Sequence, residues 1–428
     1  MMVLEIQYKN LSVFAMYKMK TNIIIILICL CNASIVAATD ELMWYDTDGE
    51  MVQSKKLAYT GYWEMKSIGD YLFLWDGMLS KMNSNGIILW SVGEDEKERQ
   101  VNLCESKENN TNYLQGVHQN WRMYTAYIEN DSTKKWENQY PKEVLSLRTF
   151  VSNNKLGSIE VRAKEENIFH VNVINANGDV IWNTTHAVEN DIADMILRFD
   201  REDSVVIGTS NLSRKIDLFQ FDSKGQLVAR DILEYGFLAS LETTENSIIL
   251  LLGRNDSNIY DLLYYNKNLE QLLSIELGIY ADYETQLVVD SQDNVFVAGC
   301  ERSSGFCQEV KLTKINSDGD ILWTQKFQAE SLGLKKMELD KEENPVIGMD
   351  RCDFYDEYGI GCRMLLLKYD SDGNLMWKAE SESKDEVEQV FEDLTIDQDN
   401  NVIAMIYSDE ADDDSNNDDD DDEKGCGC

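Results

Sequence analysis

The sequence predicts an all-β fold of the β-propeller type, with about eight four-stranded blades and seven as the alternative count. The first observation behind this is a recurring phrase, a polar turn ending in Gly with a Trp four residues later. It reads Tyr369-Asp370-Ser371-Asp372-Gly373-Asn374-Leu375-Met376-Trp377 and Ile315-Asn316-Ser317-Asp318-Gly319-Asp320-Ile321-Leu322-Trp323, and it returns from Ile174 to Trp182 and from Met82 to Trp90. The second is its spacing. Markers at Gly49, Gly86, Ser132, Gly178, Gly225, Leu269, Gly319 and Gly373 lie 37 to 54 residues apart. Ser132 and Leu269 are degenerate members, kept because the period requires them. The third is another turn phrase between these, clearest from Val289 through Asp290 and Asn294 to Gly299. It recurs at Phe199-Asp200, Leu339-Asp340 and Ile396-Asp397, each time followed by an apolar strand.

Two hairpin signals per repeat give four strands in roughly 45 residues, the size of a propeller blade. Asn-Gly and Asp-Gly supply the positive φ that a tight hairpin needs. Five of the nine Trp residues (Trp90, Trp136, Trp182, Trp323 and Trp377) share one slot, which marks it as a packing position between blades.

The phrase resembles the repeat of the quinoprotein-like, PQQ-type β-propellers. Their repeats also end in Gly, three residues and Trp, and they usually build eight blades. The resemblance spans residues 43–407 and implies the scaffold. The chain has no vicinal Cys pair of the kind found in the quinone-dependent alcohol dehydrogenases, so the resemblance implies no quinone cofactor.

From the N-terminus, Lys18 and Lys20 precede an apolar run from Ile23 to Cys31, followed by small residues up to Ala38. This reads as a signal peptide over residues 1–38 with cleavage after Ala38, and with residues 1–15 as an extension before a start at Met16 or Met19. The alternative is an uncleaved anchor. The signal places the chain outside the cell or in the secretory lumen. The propeller is expected over residues 39–407. The first marker lacks an inner strand pair and the last inner strands lack an outer pair, so N-terminal strands should complete the last blade and close the ring.

Nine Cys residues occur, seven of them after Ala38. Cys300 with Cys307 and Cys352 with Cys362 bracket polar loops one repeat apart, as two local disulfides in a secreted protein would. Cys104, Cys426 and Cys428 are left over, and an intermolecular disulfide through Cys426 or Cys428 is expected from the odd count. Cys426-Gly427-Cys428 also resembles a doubly prenylated end, a cytosolic modification that the signal peptide opposes. Asn-x-Ser/Thr triplets make Asn109, Asn130, Asn183, Asn211 and Asn255 candidate glycosylation sites.

The formal net charge is −39, which excludes nucleic acid as a partner and opposes attraction to an anionic membrane. The excess peaks in residues 408–428, expected to be a disordered acidic tail. Asp412, Asp413, Asp414, Asp418, Asp419, Asp420, Asp421 and Asp422 are candidate weak Ca²⁺ ligands there. A basic partner is the other expectation for this segment.

A catalytic set is hard to assemble. His118, His170 and His186 are the only histidines, and none has metal-pair spacing to another. The Asp46 to Gly49 and Asp370 to Gly373 turns resemble calcium loops but lack the further ligands and read as hairpin turns. Asp290, Asp340 and Asp397 could line a channel mouth and do acid–base work, yet their repetition points to turn formation. The reading is a secreted binding or extracellular-matrix-type glycoprotein with the propeller as platform for a protein or glycan ligand, the acidic tail for Ca²⁺ or a basic partner, and no required cofactor. The alternative is a secreted enzyme with its site at the channel mouth, a carboxylate hydrolase or a cofactor-dependent oxidoreductase.

Overall fold

A computed structural model describes residues 37–410, except 58–63, 69, 76–78, 93–97, 107–110, 119–122, 129–133, 140–143, 153–154, 163–164, 176, 190, 201, 212, 255–258, 281–284, 302–306, 356–358 and 382–387. Its described residues form a ring of antiparallel sheets. Five four-stranded sheets each use consecutive strands: Glu64–Ile68 to Ile88–Val92, Glu98–Ser106 to Lys134–Gln139, Val144–Ser152 to Val180–Ala187, Ile192–Phe199 to Leu227–Leu233, and Phe237–Thr243 to Gln271–Tyr280. A seven-stranded sheet follows, from Gln286–Val289 to Leu375–Glu380. The last sheet joins Glu388–Ile396 and Val402–Glu410 to Ala37–Tyr45 and Met51–Lys56.

That last sheet closes the ring as the unpaired halves predict. Ala37–Tyr45 runs antiparallel to Val402–Glu410, from Ala37 opposite Glu410 to Tyr45 opposite Val402. The ladder passes the expected limits of 39 and 407 at both ends, because its register continues unbroken through Tyr407, Ser408, Asp409 and Glu410. Cleavage after Ala38 would leave the pairs from Thr39 opposite Ser408 onward. The inner strand of the closing sheet, Glu388–Ile396, packs on both neighbours, the Glu64–Ile68 strand and the seven-stranded sheet.

Inside the sheets the middle strands are wholly buried, as in Val205–Asn211, Ile216–Phe221 and Ile248–Gly253. The outer strands alternate between covered and exposed residues. The core therefore lies between sheets. Met43, Val346, Leu366, Trp377, Phe391 and Ala404, for example, form one cluster that joins the seven-stranded sheet to the closing sheet.

The Gly-to-Trp phrase is a joint between successive repeats. Each described turn carries the expected positive φ at its Gly marker or at Leu269, with a bulge after it. Gly373, for instance, has φ 85°, donates its N–H to Asp370 O at 3.0 Å, and the register slips between Lys368 and Tyr369. The Trp of the preceding repeat lies over this Gly. A Cβ on Gly373 would stand 2.7 Å from the Trp323 ring, one on Gly225 2.6 Å from Trp182, and one on Gly49 2.6 Å from Trp377. The indoles are also tied by hydrogen bonds: Trp323 Nε1–H to Ser371 O at 2.9 Å and Trp377 Nε1–H to Thr47 O at 3.0 Å. Gly is needed twice, for its φ and for the space the ring takes.

The degenerate marker Leu269 obeys the same rule inverted. It keeps positive φ, 57°, yet carries a side chain that is buried in the same cluster against which Ala229 packs. Ala229 occupies the Trp slot of the preceding repeat, four residues after Gly225. A small slot residue meets a large turn residue, and a large slot residue meets Gly. The pair therefore defines a double-mutant cycle. Leu269→Gly should cost about 2–4 kcal/mol and Ala229→Trp about 1–3 kcal/mol by overpacking. In urea unfolding the double variant should recover at least ~1 kcal/mol of their sum. Strict additivity would show that the two residues do not share one space.

Candidate functional site

In an antiparallel four-stranded blade, the first and third hairpin turns lie at one end and the second lies at the other. The Asp turns and the Gly-to-Trp turns thus share one face of the ring. The disulfides Cys300–Cys307 and Cys352–Cys362 lie toward the opposite face.

On the first face, the proposed channel-mouth carboxylates cap their own turns. Asp290 Oδ1 accepts the N–H of Gln292 at 2.9 Å and of Asn294 at 2.8 Å. Asp397 does the same for Asp399 and Asn401, at 2.8 and 2.9 Å. Asp340 accepts from Asn344 N at 2.8 Å. Their Oδ2 atoms take the Asn side-chain amide four residues on, at 2.7, 3.0 and 2.9 Å for Asp290, Asp340 and Asp397. The bonds release the positive φ of Asp293, Glu343 and Asn400 from needing Gly. The calcium-like turns are built alike: Asp46 Oδ1 accepts from Asp48 and Glu50 N–H at 3.0 and 2.9 Å, and Asp370 Oδ1 accepts from Asp372 and Asn374 N–H at 3.0 and 2.7 Å. Hydrogen bonds from Asn374 hold the Asp370 carboxyl below its usual range.

Two of the capping Asp residues have buried cationic partners. Lys368 Nζ lies 2.8 Å from Asp340 Oδ2, with both side chains almost wholly buried. Lys314 Nζ lies 3.6 Å from Asp290 Oδ2. Lys81 holds the same slot, sits 3.6 Å over the Tyr71 ring, and is pushed below the usual lysine range by burial. The signal for these was in the sequence: Lys stands two residues before the turn at Lys81, Lys314 and Lys368.

A second polar group joins the inner strands where the ring closes. Asp393 Oδ2 accepts Met65 N–H at 2.7 Å, and Oδ1 lies 3.2 Å from Lys336 Nζ. Thr395 Oγ1 accepts Ser67 N–H at 3.0 Å and approaches Glu338 at 3.5 Å, which pairs with Lys66 at 3.4 Å. Burial pushes the Asp393 carboxyl above its ordinary range, against the opposing pull of Lys336. No periodic pattern announces these residues, because they come from three inner strands far apart in sequence.

The remaining candidates divide. Cys300–Cys307 and Cys352–Cys362 are disulfide-bonded. Asn183 is exposed, whereas Asn211 is 6% exposed and its Oδ1 accepts Lys215 N–H at 3.1 Å, so that side chain faces the fold. Asn109, Asn130 and Asn255, the Asp412–Asp422 ligand set, and Cys426 and Cys428 lie outside the described residues. His170 bonds Thr185 at 2.9 Å. His186 bonds Thr184 and packs on Phe221. Among the described residues no group of three or more His, Cys, Asp or Glu could hold a metal ion, and no helix is long and apolar enough to cross a membrane.

No family model matches the chain, and no curated protein matches it. Solved structures do resemble it in fold. One, described as the eukaryotic initiation factor, is 10% identical with a TM-score of 0.50 over 76% of this chain and 80% of that one. Another, the dihydro-heme d1 dehydrogenase NirN in complex with DHE, is 11% identical with a TM-score of 0.52 over 80% and 73%. At such identities the likeness establishes a β-propeller fold and nothing of chemistry. No specific PQQ-type protein is identified.

The two roles of the Asp turns separate by mutation. Asp340→Ala leaves Lys368 buried and unpaired and should cost about 3–5 kcal/mol. Asp397→Ala removes turn bonds alone and should cost about 1 kcal/mol. Urea midpoints check this, and equal losses would contradict the buried pair.

Proposed function

We propose that the protein is a secreted, non-enzymatic binding protein of the extracellular-matrix kind. The propeller is the platform, and the acidic segment takes Ca²⁺ or a basic partner. The ring reads as eight blades, because Ile321–Leu339 serves two of them. Its first part pairs as an outer strand with Cys307–Ile315 and its second as an inner strand with Pro345–Tyr355.

The observation that carries the binding reading is the rim. The two residues before the Trp slot are exposed and apolar in repeat after repeat. Met51 and Val52 are 56% and 60% exposed, Val180 and Ile181 52% and 43%, and Ile321 and Leu322 54% and 51%. Met51, Val52, Val180 and Ile181 lie on outermost strands, and Ile321 and Leu322 lie on the part of Ile321–Leu339 that pairs on one side only, with Cys307–Ile315. A recurrent apolar edge is a contact surface. The turn-capping role of Asp290, Asp340 and Asp397 also favours binding over acid–base chemistry. Paired disulfides and the exposed sequon at Asn183 fit a secretory route.

Ser substitutions at Ile321 and Leu322 should abolish crosslinks from a photo-reactive group at Leu375 to partners in the native secreted fraction, with the unfolding midpoint unchanged. Crosslinks that persist would remove the rim from the account. For the acidic segment, calorimetric Ca²⁺ titration should show binding by the full chain that is lost when residues 411–428 are deleted; equal binding by both would refute the segment as the site.

A further inference from the structure

The two disulfides stand in different surroundings. Cys300 and Cys307 are each 1% exposed and lie in a cluster with Leu332, Leu334 and Met349 of the next repeat, which covers them. Cys352 and Cys362 stand directly opposite one another in the hairpin of Pro345–Tyr355 and Gly359–Tyr369 and are half-buried. Their rung lies at the limit of what the rest of the sheet supports. On one side, Ser331 opposite Cys352 ends the ladder. On the other, Leu365 opposite Glu380 ends it, and Ser381 adds bonds as far as Met364. Beyond the disulfide, Asp353, Phe354 and Tyr355 continue in register with Gly361, Ile360 and Gly359 as a two-stranded ribbon. Such a ribbon is marginal by itself, and the Cys352–Cys362 bond is the staple at its base.

Two residues inward lies the rung that docks the closing sheet. Asp350 stands opposite Met364 there. Asp350 Oδ1 accepts the N–H of Phe391, on the inner strand of the closing sheet, at 2.6 Å. Met364 is wholly buried in the cluster that holds Phe391, Ala404 and Ile406 of that sheet. Its N–H donates to Ser381 Oγ at 3.0 Å, and Ser381 N–H donates to Met364 O at 3.1 Å. Ser381 follows the last strand of the seven-stranded sheet, where the chain sets out for Glu388–Ile396. A single rung, Arg351 opposite Arg363, separates this junction from the disulfide. Alternation puts Cys352 on the same face as Asp350, the face turned to the closing sheet. If the staple opens, the hairpin frays inward from its tip, and the contacts of Asp350 and Met364 are the first interior ones it reaches.

We infer that Cys352–Cys362 is a redox-sensitive latch on ring closure, opened by a dithiol reductant while Cys300–Cys307 stays shut. One thiolate of the reductant attacks a sulfur of the bond. A mixed disulfide forms, the Cys352–Cys362 bond breaks, and its electron pair leaves on the other cysteine as a thiolate. The second thiolate of the reductant then attacks the reductant's own sulfur in the mixed disulfide, closes an internal disulfide and frees the second cysteine. Two electrons and two protons pass from the dithiol to the protein. The paired strands keep the two cysteines opposite one another, so an oxidised dithiol recloses the bond by the reverse steps. Access sets the selectivity: the attacking thiolate must reach a sulfur, and the cover over Cys300 and Cys307 denies it. With the latch open, the sheet that carries Ala37–Tyr45 is held less firmly at Phe391.

The test titrates the full, oxidised chain with dithiothreitol under native conditions. Each step is quenched by alkylation and mapped by peptide mass spectrometry, and amide hydrogen exchange is followed in parallel. Cys352 and Cys362 should be alkylated while Cys300–Cys307 remains joined. The amides of Met364, Phe391 and residues 39–45 should then quicken at least about tenfold relative to those of Val205–Asn211. Adding oxidised dithiothreitol should restore the slow exchange. The double variant Cys352→Ser, Cys362→Ser should show the fast pattern with no reductant; should it not fold, the wild-type titration decides alone. The latch is refuted if Cys300–Cys307 opens first or together with Cys352–Cys362, or if both bonds resist until the ring unfolds. It is refuted equally if Cys352–Cys362 opens and exchange at Met364 and Phe391 stays slow.

Discussion

Each repeat of this ring depends on its predecessor to cover its outer turn. A Gly at positive φ leaves a gap that the indole of the preceding repeat fills, at Gly225 under Trp182, Gly373 under Trp323 and Gly49 under Trp377. The indole N–H bonds to the turn itself, at Ser371 and Thr47. A turn left without its predecessor would expose both a large apolar ring and an unsatisfied backbone. A linear row of such repeats always leaves one end uncovered. Closure through Ala37–Tyr45 removes that end, since Trp377 finds its Gly in the N-terminal hairpin.

Much of this was legible because it repeats. Gly and Trp at constant separation, and Asp before each inner turn, announce hairpins whatever the surrounding sequence. The complementary halves of the first and last repeats announce closure. What was not legible lies in the exceptions. Leu269 looked like a decayed marker, and only its neighbour Ala229 explains it as a volume exchanged between two residues 40 apart. The Asp393 group was hidden for a different reason: its partners Met65 and Lys336 come from other sheets, and a single sequence carries no period linking them. The full extent of the closing ladder was also missed, because Ser408, Asp409 and Glu410 look like the start of the acidic run while their backbones still pair with residues 37–39.

The two faces of the ring have different characters. One holds the capped turns, where carboxylates are matched to backbone N–H groups, Asn amides and buried Lys368 and Lys314. That face is stiffened, and its acids are engaged. The other holds the disulfides and the root of the acidic segment. Exposed apolar pairs such as Met51 with Val52 and Val180 with Ile181 lie on the outer strands between the two faces.

Closure is the premise on which both faces rest, and amide hydrogen exchange of the folded protein reads it most directly. If Ala37–Tyr45 is an integral strand of the last sheet, the amides of Thr39 to Tyr45 that pair with Val402–Glu410 should exchange only through global unfolding. They should then share the protection and the urea dependence of the buried strands Val205–Asn211 and Ile248–Gly253. Rapid exchange across residues 39–45, with protection kept elsewhere in the ring, would contradict the account.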